Sequence, residues 1–294
     1  MKITIVGTAS PALTLRSGNV GTSVLLEHGS RKAMFDLGPG ATTRLDHLGH
    51  DVRDIDYVYL THHHWDHVAD LPHFVLGRWE KSLFGSVGGD PFAQSLVLVG
   101  PRDTRRLADR FFGKDGAYAD CIATRYAEDI GLRLYGARGI KSPLPPLLGD
   151  VREISAGDSW KSDMLSFSTT KAVHCQPYLE SAAYRVDADG KSFVFAGDTA
   201  PCDGVTELAK GASVLLHDCN VNENVRDQLG TVTMHSTAEE VGEVARSAGV
   251  EKIVAVHHGI PKGEKTRRAD LQRRIASVFD GEIEIATEGD TYVL

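Results

Sequence analysis

The chain has 294 residues, 41% of them hydrophobic, and a formal net charge of −8. That composition supports a substantial core, and the length fits one large α/β domain spanning 1–294. The acidic balance argues against broad binding to nucleic acid or anionic membrane surfaces.

In chain order, residues 2–6 read as a strand and Gly7 to Gly18 as a Gly/Ser/Pro-punctuated loop. Strands at 22–27 and 31–36 form a hairpin across Gly29-Ser30, and a helix covers about 41–48. Asp56 to Leu60 is a short strand that runs into Thr61-His62-His63-His64-Trp65-Asp66-His67, with a helix opening after it. The Gly-rich stretch 77–95, with Trp79, Phe84 and Phe92, reads as a loop near the site. Strand 96–99 and a helix over 102–112 follow. Residues 113–149 give no clear element, and Pro143, Pro145 and Pro146 break any regular one.

The second half repeats the rhythm. Strands are expected at 163–172, 182–186, 192–196 and 213–217. A helix over 237–248 has Ser236 as its N-cap and Glu239 three residues on. A strand at 252–256, a helix at 267–279 and strands near 282–286 and 291–294 close the chain. Strands and helices with both hairpins and crossovers fit two sheets packed face to face with helices outside.

Cys121, Cys175, Cys202 and Cys219 form no C-x-x-C pair, so no thiolate zinc or redox motif is indicated. Isolated thiols fit a cytoplasmic protein. No apolar run reaches the length of a membrane span, and Ile3–Val6 is too short for a signal-peptide core.

The chemistry concentrates in His-x-His-x-Asp-His. In an extended segment His62 and His64 point the same way and can share one metal; Asp66 and His67 lie past the turn and can serve another. Imidazole and carboxylate donors suit zinc, manganese or iron. His174, Asp198 and His257 each follow an expected strand, and His235 precedes a helix. A rigid scaffold presents functional groups at such junctions. Any one of them alone is more often a surface residue or a turn. Together, and in this order, they point to a metal site.

These motifs resemble the metallo-β-lactamase-fold hydrolases, and within them the branch holding the tRNA 3′-processing endonuclease RNase Z with related phosphodiesterases and arylsulfatases. The likeness covers nearly the whole chain. It rests on Phe35-Asp36-Leu37-Gly38-Pro39-Gly40, Thr61 to His67, His174, Gly197-Asp198-Thr199 and His257, with Leu215 to Cys219 and His235-Ser236-Thr237 resembling motifs of the RNase Z branch. The resemblance implies a four-layer αββα sandwich with a two-zinc site on its edge. His62, His64 and His174 would hold one ion; Asp66, His67 and His257 the other; Asp198 would bridge. Two such ions acidify a water to hydroxide near neutral pH. Asp66 would orient or deprotonate the nucleophile. His235, its tautomer fixed by Asp218, would protonate the departing oxygen. His257, directly after its strand, is taken as ligand over His258, and His63 as a surface or supporting residue. Trp65 departs from a position often small in the family.

That branch commonly inserts a tRNA-binding arm between its third and fourth motifs. Here His174 and Asp198 are about two dozen residues apart, which the intervening strands and turn use up. The expected substrate is therefore a small phosphodiester, sulfate, ester or lactone. An RNase Z-type endonuclease lacking the arm is the first alternative, and a non-catalytic metal-binding or signalling protein the second. Degenerate members of that kind would have lost ligands, whereas all seven positions are filled. A redox relative would need an electron-donor module, which this chain does not contain. A homodimer is left open.

Overall fold

The computed structural model describes residues 1–15, 18–84, 95–140, 143–162, 165–220, 228 and 234–294. Two seven-stranded sheets form its centre. The first holds β1 (Lys2–Gly7), β2 (Ser23–His28), β3 (Arg31–Phe35), β4 (Tyr57–Tyr59), β5 (Val97–Gly100) and β6 (Asp150–Glu153), with β14 (Thr291–Val293) at the edge beside β1. The second holds β7 (Ser159–Ser162), β8 (Leu165–Lys171), β9 (Ala182–Ala188), β10 (Lys191–Phe195), β11 (Val214–Asp218), β12 (Lys252–Val256) and β13 (Glu282–Ile285), in sequence order.

Side-chain alternation along the strands builds the layers. In β10, Phe193 and Phe195 face the partner sheet and Val194 faces out; in β12, Val254 and Val256 face in, Ile253 and Ala255 out. The inner faces meet in a core of Ile3, Ile5, Phe35, Tyr59, Phe167, Tyr184, Phe193 and Phe195. Phe35 stacks on Tyr59 at 5.1 Å between centroids and meets Tyr184 edge-on at 5.6 Å. Strands apolar on both faces are what parallel sheets covered by helices require. Leu25, Met34, Val58 and Leu98 face outward and pack with Leu45, Leu71, Phe74 and Ala108 of the helices Ala41–His47, Leu71–Phe84 and Thr104–Phe112. On the other side, Val194, Leu215 and Ile253 pack with Val205, Val241, Val244, Ala245 and Ile275 of the helices Asp203–Leu208, Ala238–Ala248 and Lys265–Ala276. The order helix, sheet, sheet, helix is the expected αββα sandwich.

Strand direction places the site. β3, β4, β5 and β6 are mutually parallel, and so are β10, β11, β12 and β13. Their C-terminal loops collect along one edge of the sandwich, where open α/β sheets hold ligands.

Three readings of the sequence need correction. Residues 77–84 are not loop: the helix Leu71–Phe84 continues through Gly77 and buries Leu71, Phe74, Val75, Trp79 and Leu83 at helical spacing. Residues 85–94, including Phe92, lie outside the described residues. Second, the last long capping box is Thr237 with Glu240, not Ser236 with Glu239; Ser236 Oγ instead donates to Thr199 O at 2.9 Å. Third, the region 113–149 carries the helices Ala119–Tyr126 and Arg133–Ala137 with a π-helical turn, Glu128–Leu132, between them. Strands β6 and β7 are further elements that the sequence did not suggest. Among the described residues no helix is long and apolar enough to cross a membrane.

Candidate metal centre

Backbone geometry turns the chain sharply at the strand ends. Asp36 (φ 58°), directly after β3, and His257 (φ 50°), directly after β12, are left-handed, a conformation that disfavours side-chain-bearing residues by about 1–2 kcal/mol each and persists where surrounding structure over-determines it. Gly197 (φ 63°), after β10, has room for nothing larger: a Cβ there would lie 2.9 Å from Thr61 Cβ. The metal loop Thr61–His64 and the Asp198 loop therefore approach each other closely.

Asp36 organises the His cluster. Its fully buried carboxylate accepts from Thr61 N–H at 2.7 Å, from the Thr61 hydroxyl at 2.8 Å and from His67 Nδ1 at 2.8 Å. An ionised carboxylate only accepts, so His67 presents a proton at Nδ1 and turns Nε2 inward. Burial lowers the basicity of the ring, but Asp198 and Asp36 outweigh it and raise it well above the ordinary imidazole range, so a metal would bind by displacing the Nε2 proton. Burial pushes the Asp36 carboxyl up, partly offset by His67 and Thr61. The Thr61 hydroxyl, committed as donor to Asp36, receives His62 Nδ1–H at 3.0 Å. Across the sandwich, Ala182 N–H donates to Thr61 O at 2.9 Å and Tyr184 Oη–H to Leu60 O at 2.7 Å. On the far wall, His174 Nδ1–H donates to Met234 O at 2.7 Å.

Three ring nitrogens converge as a result. His62 Nε2 lies 3.1 Å from His64 Nδ1, and His174 Nε2 lies 3.0 Å from the same atom. Tetrahedral zinc with bonds of about 2.1 Å sets its nitrogens about 3.4 Å apart, a few tenths more. The donor chemistry points the same way. With protons fixed on the Nδ1 atoms of His62 and His174, two lone pairs face His64 Nδ1, which can donate to only one. His67 Nε2 and Asp198 Oδ1 are buried without a hydrogen-bond partner among the described residues, the arrangement that a cation satisfies. His62, His64, His174 and Asp198 form one group able to hold an ion, Asp66, His67 and His257 a second, and Asp198, His235 and His257 a third that overlaps both. Asp198 Oδ2 lies 3.9 Å from His62 Nε2, 3.4 Å from His67 Nε2 and 3.5 Å from His257 Nε2, so it faces both. Asp66 Oδ2 is 3.1 Å from His257 Nε2. The residues fit a two-metal centre.

The electrostatics are uneven. Burial pushes the Asp198 carboxyl up, but His257 and His67 outweigh it and hold the group well below the ordinary carboxylate range. Burial and the neighbouring His67 keep His62 neutral at pH 7. His235 moves the opposite way: burial lowers it, yet the Asp218 hydrogen bond and charge prevail and raise it. His235 Nδ1–H donates to Asp218 Oδ2 at 2.9 Å, and Thr199 N–H donates to Asp218 Oδ1 at 3.1 Å. The His235 ring stacks beside His257 at 5.5 Å and lies 3.9 Å from Asp198 Oδ2. Its ring is set against the ligand cluster.

Every proposed ligand thus reaches the same edge. His258 turns away, with Nε2 3.0 Å from Ala286 O and Nδ1 accepting from Ile260 N–H. His63 points outward to Thr104 Oγ1 at 2.8 Å. Trp65 opens the short helix Trp65–Val68 and is 50% exposed, so it does not pack beneath the loop. Trp79 is buried against Tyr126 and Tyr135, with Nε1–H donating to Pro145 O, and offers no face to a substrate. Asp36, Thr61 and Thr199 are supporting residues that reading the sequence did not assign. The available signals were that Asp36, like the ligands, directly follows a strand and that it stands in the Phe35–Gly40 motif.

Residues 16–86 match the metallo-beta-lactamase superfamily profile, and residues 134–258 a beta-lactamase superfamily domain. The chain is 28% identical over 296 residues to a ribonuclease Z of Mycolicibacterium gilvum, covering 98% of this chain and 94% of that one. Among solved structures, the metallo-beta-lactamase fold protein YhfI of Bacillus subtilis superposes with a TM-score of 0.74 at 18% identity, over 99% of this chain and 98% of that one. Human tRNase Z, short form, does so at 0.67 and 16%, over 100% and 99%. The sandwich, the His/Asp cluster and these matches agree, and the chain belongs to the metallo-β-lactamase superfamily, as a metal-dependent hydrolase.

Proposed function

We propose that this hydrolase is a phosphodiesterase of the ribonuclease Z type, cutting a phosphodiester bond in RNA. The small-molecule expectation rested on the short segment between His174 and Asp198, which β9, β10 and their turn do occupy. Relatives named ribonuclease Z are matched over 94–96% of their own length, so no long arm separates them from this chain.

The observation that carries the reading is the His235–Asp218 pair. An aryl ester or aryl sulfate expels a stabilised oxyanion and gains little from an acid. A ribose alkoxide is a poor leaving group and needs a proton as the bond breaks. Supporting this reading, the His235 ring lies beside Asp198, and the buried Asp218 carboxylate orients it and raises its basicity against the effect of burial.

In this reading His62, His64 and His174 would hold one zinc and Asp66, His67 and His257 the other, with Asp198 available to both. Two ions so held would acidify a water and neutralise charge building on the phosphoryl oxygens. Asp66 orients the attacking water. Asp36 fixes His67, Thr61 fixes His62, and the Met234 carbonyl fixes His174, so that the ligand lone pairs are set in advance. His235 Nε2–H protonates the departing ribose oxygen, and Asp218 stabilises the imidazolium before transfer.

Incubation of the zinc-loaded protein with a 3′-extended precursor tRNA, alongside p-nitrophenyl phosphodiester, sulfate and ester substrates, tests the reading. The expected result is a single endonucleolytic cut in the precursor. Turnover confined to the small sulfates or esters would return the assignment to a small-molecule hydrolase.

A further inference from the structure

A groove opens beside the metal centre on the side of His63. His63, Arg102, Arg106, Arg110 and Tyr178 line it, and its volume is about 280 Å³. A second hollow of about 250 Å³ continues it, sharing Arg102 and Glu180 and adding Lys171. The three arginines are four residues apart. Arg106 and Arg110 lie one turn apart on the helix Thr104–Phe112, and Arg102 stands on the turn before it. A four-residue step along a helix is about 6 Å, of the order of the spacing between successive phosphates on a nucleic-acid strand.

Four cations thus line a continuous channel on a chain whose total charge is −8. The acids within it are Asp103 and Glu180. Glu180 lies 3.4 Å from Arg102 and 3.9 Å from Lys171, and Asp103 lies 3.3 Å from Arg106. These pairs are well exposed, so they are weak and exchange readily for a phosphate. Arg110 has no carboxylate partner among the described residues. Tyr178, on the loop just past His174, is 94% exposed. A tyrosine so placed stabilises nothing in the fold and presents a bare ring. The groove is tied to the metal loop: His63 sits between two proposed ligands and its Nε2 meets Thr104 Oγ1, at the start of the arginine helix.

We propose that this groove carries the RNA strand leading away from the scissile bond, its phosphates on Arg102, Arg106 and Arg110 and one base stacked on Tyr178. The assignment rests on the ribonuclease reading and adds where the strand runs. It also accounts for binding RNA without an inserted arm. Cations on one short helix face supply the local attraction that the total charge denies, and an aromatic ring accepts any base.

The test compares Arg106→Ala/Arg110→Ala with Arg106→Lys/Arg110→Lys and Tyr178→Ala. Two measurements are made: KM and its salt dependence for cleavage of a 3′-extended precursor tRNA, and anisotropy of a fluorescein-labelled single-stranded RNA in the presence of EDTA. Losing two phosphate contacts lowers the slope of log affinity against log salt by about 1.4, which at 0.1 M salt is about 25-fold in affinity. The double lysine variant retains most of the affinity and slope. Tyr178→Ala weakens RNA binding about fivefold or more. In all three, kcat/KM for bis(p-nitrophenyl) phosphate stays at the wild-type value. Wild-type RNA affinity and salt slope in the alanine double variant, with wild-type cleavage intact, would overturn the groove alone. A wild-type protein that neither binds nor cuts RNA would remove the ribonuclease reading and this inference with it. An equal fall in bis(p-nitrophenyl) phosphate hydrolysis, or equal competition by a phosphopeptide of matched charge, also overturns the assignment.

Discussion

Asp36→Asn is the substitution that isolates the organising carboxylate. The wild-type group accepts three hydrogen bonds, two from Thr61 and one from His67 Nδ1, at 2.7–2.8 Å. Asparagine is nearly isosteric, so the backbone bond from Thr61 N–H can be kept by the amide oxygen. The amide nitrogen then occupies the Oδ2 position and donates. His67 must accept at Nδ1, its proton moves to Nε2, and the lone pair aimed at Asp66 and His257 disappears. The second group of ligands is left one donor short. Loss of such an orienting partner lowers metal affinity about 10–100-fold, or roughly 1.4–2.8 kcal/mol. Metal content measured by mass spectrometry after dialysis against a graded chelator reads this directly, and one ion should be lost before the other. Asp36→Ala goes further. It leaves two Thr61 donors and one His67 donor buried and unpaired, at about 1–3 kcal/mol each, a large share of a typical ~5–15 kcal/mol stability. The metal-free form should then melt well below wild type. Wild-type affinity for both ions in Asp36→Asn would refute the proposed tautomer control.

His235→Ala should leave metal content unchanged and lower kcat on precursor RNA by about 10²–10⁴-fold, with a much smaller effect on p-nitrophenyl diesters; steady-state kinetics on both substrates check this, and metal loss would reassign His235 as a ligand. Gly38→Ala should lower stability by about 1–3 kcal/mol, read by thermal unfolding, because its Cβ would lie 2.4 Å from Asp66 O and from Gly21 backbone. The metal loop would move with it, so metal affinity should also fall. Trp79→Ala should lower stability by about 3–5 kcal/mol, read by denaturant titration, while KM for RNA holds; a change confined to KM would make Trp79 a substrate contact and contradict its packing role.

The strands around the site were legible because each is a short apolar run that stops at a ligand-type residue. Those runs are buried on both faces, which makes them continuous. The ligand set was legible for the same reason: His62, His174, Asp198 and His257 each follow a strand or end one. Asp36 had equal placement, but its partners lie 25 and 31 residues away, and nothing local reveals a hydrogen bond across that distance. The helix Leu71–Phe84 has full apolar periodicity; Gly77 and the glycines beyond it hid that signal. The helix Ala119–Tyr126 is short and buries no residue, so it lacks the apolar run that marks a helix packed on the core. The arginine spacing at 102, 106 and 110 was visible, yet only the fold places it beside the metal loop.

The most direct test of the account couples metal to cleavage through Asp198, whose carboxylate faces both ligand groups. Wild-type protein should retain two ions per chain and cut a 3′-extended precursor tRNA, whereas Asp198→Ala should lose bound metal and all detectable cleavage together. Undiminished cleavage in Asp198→Ala, or in wild type stripped of metal by a chelator, would contradict it.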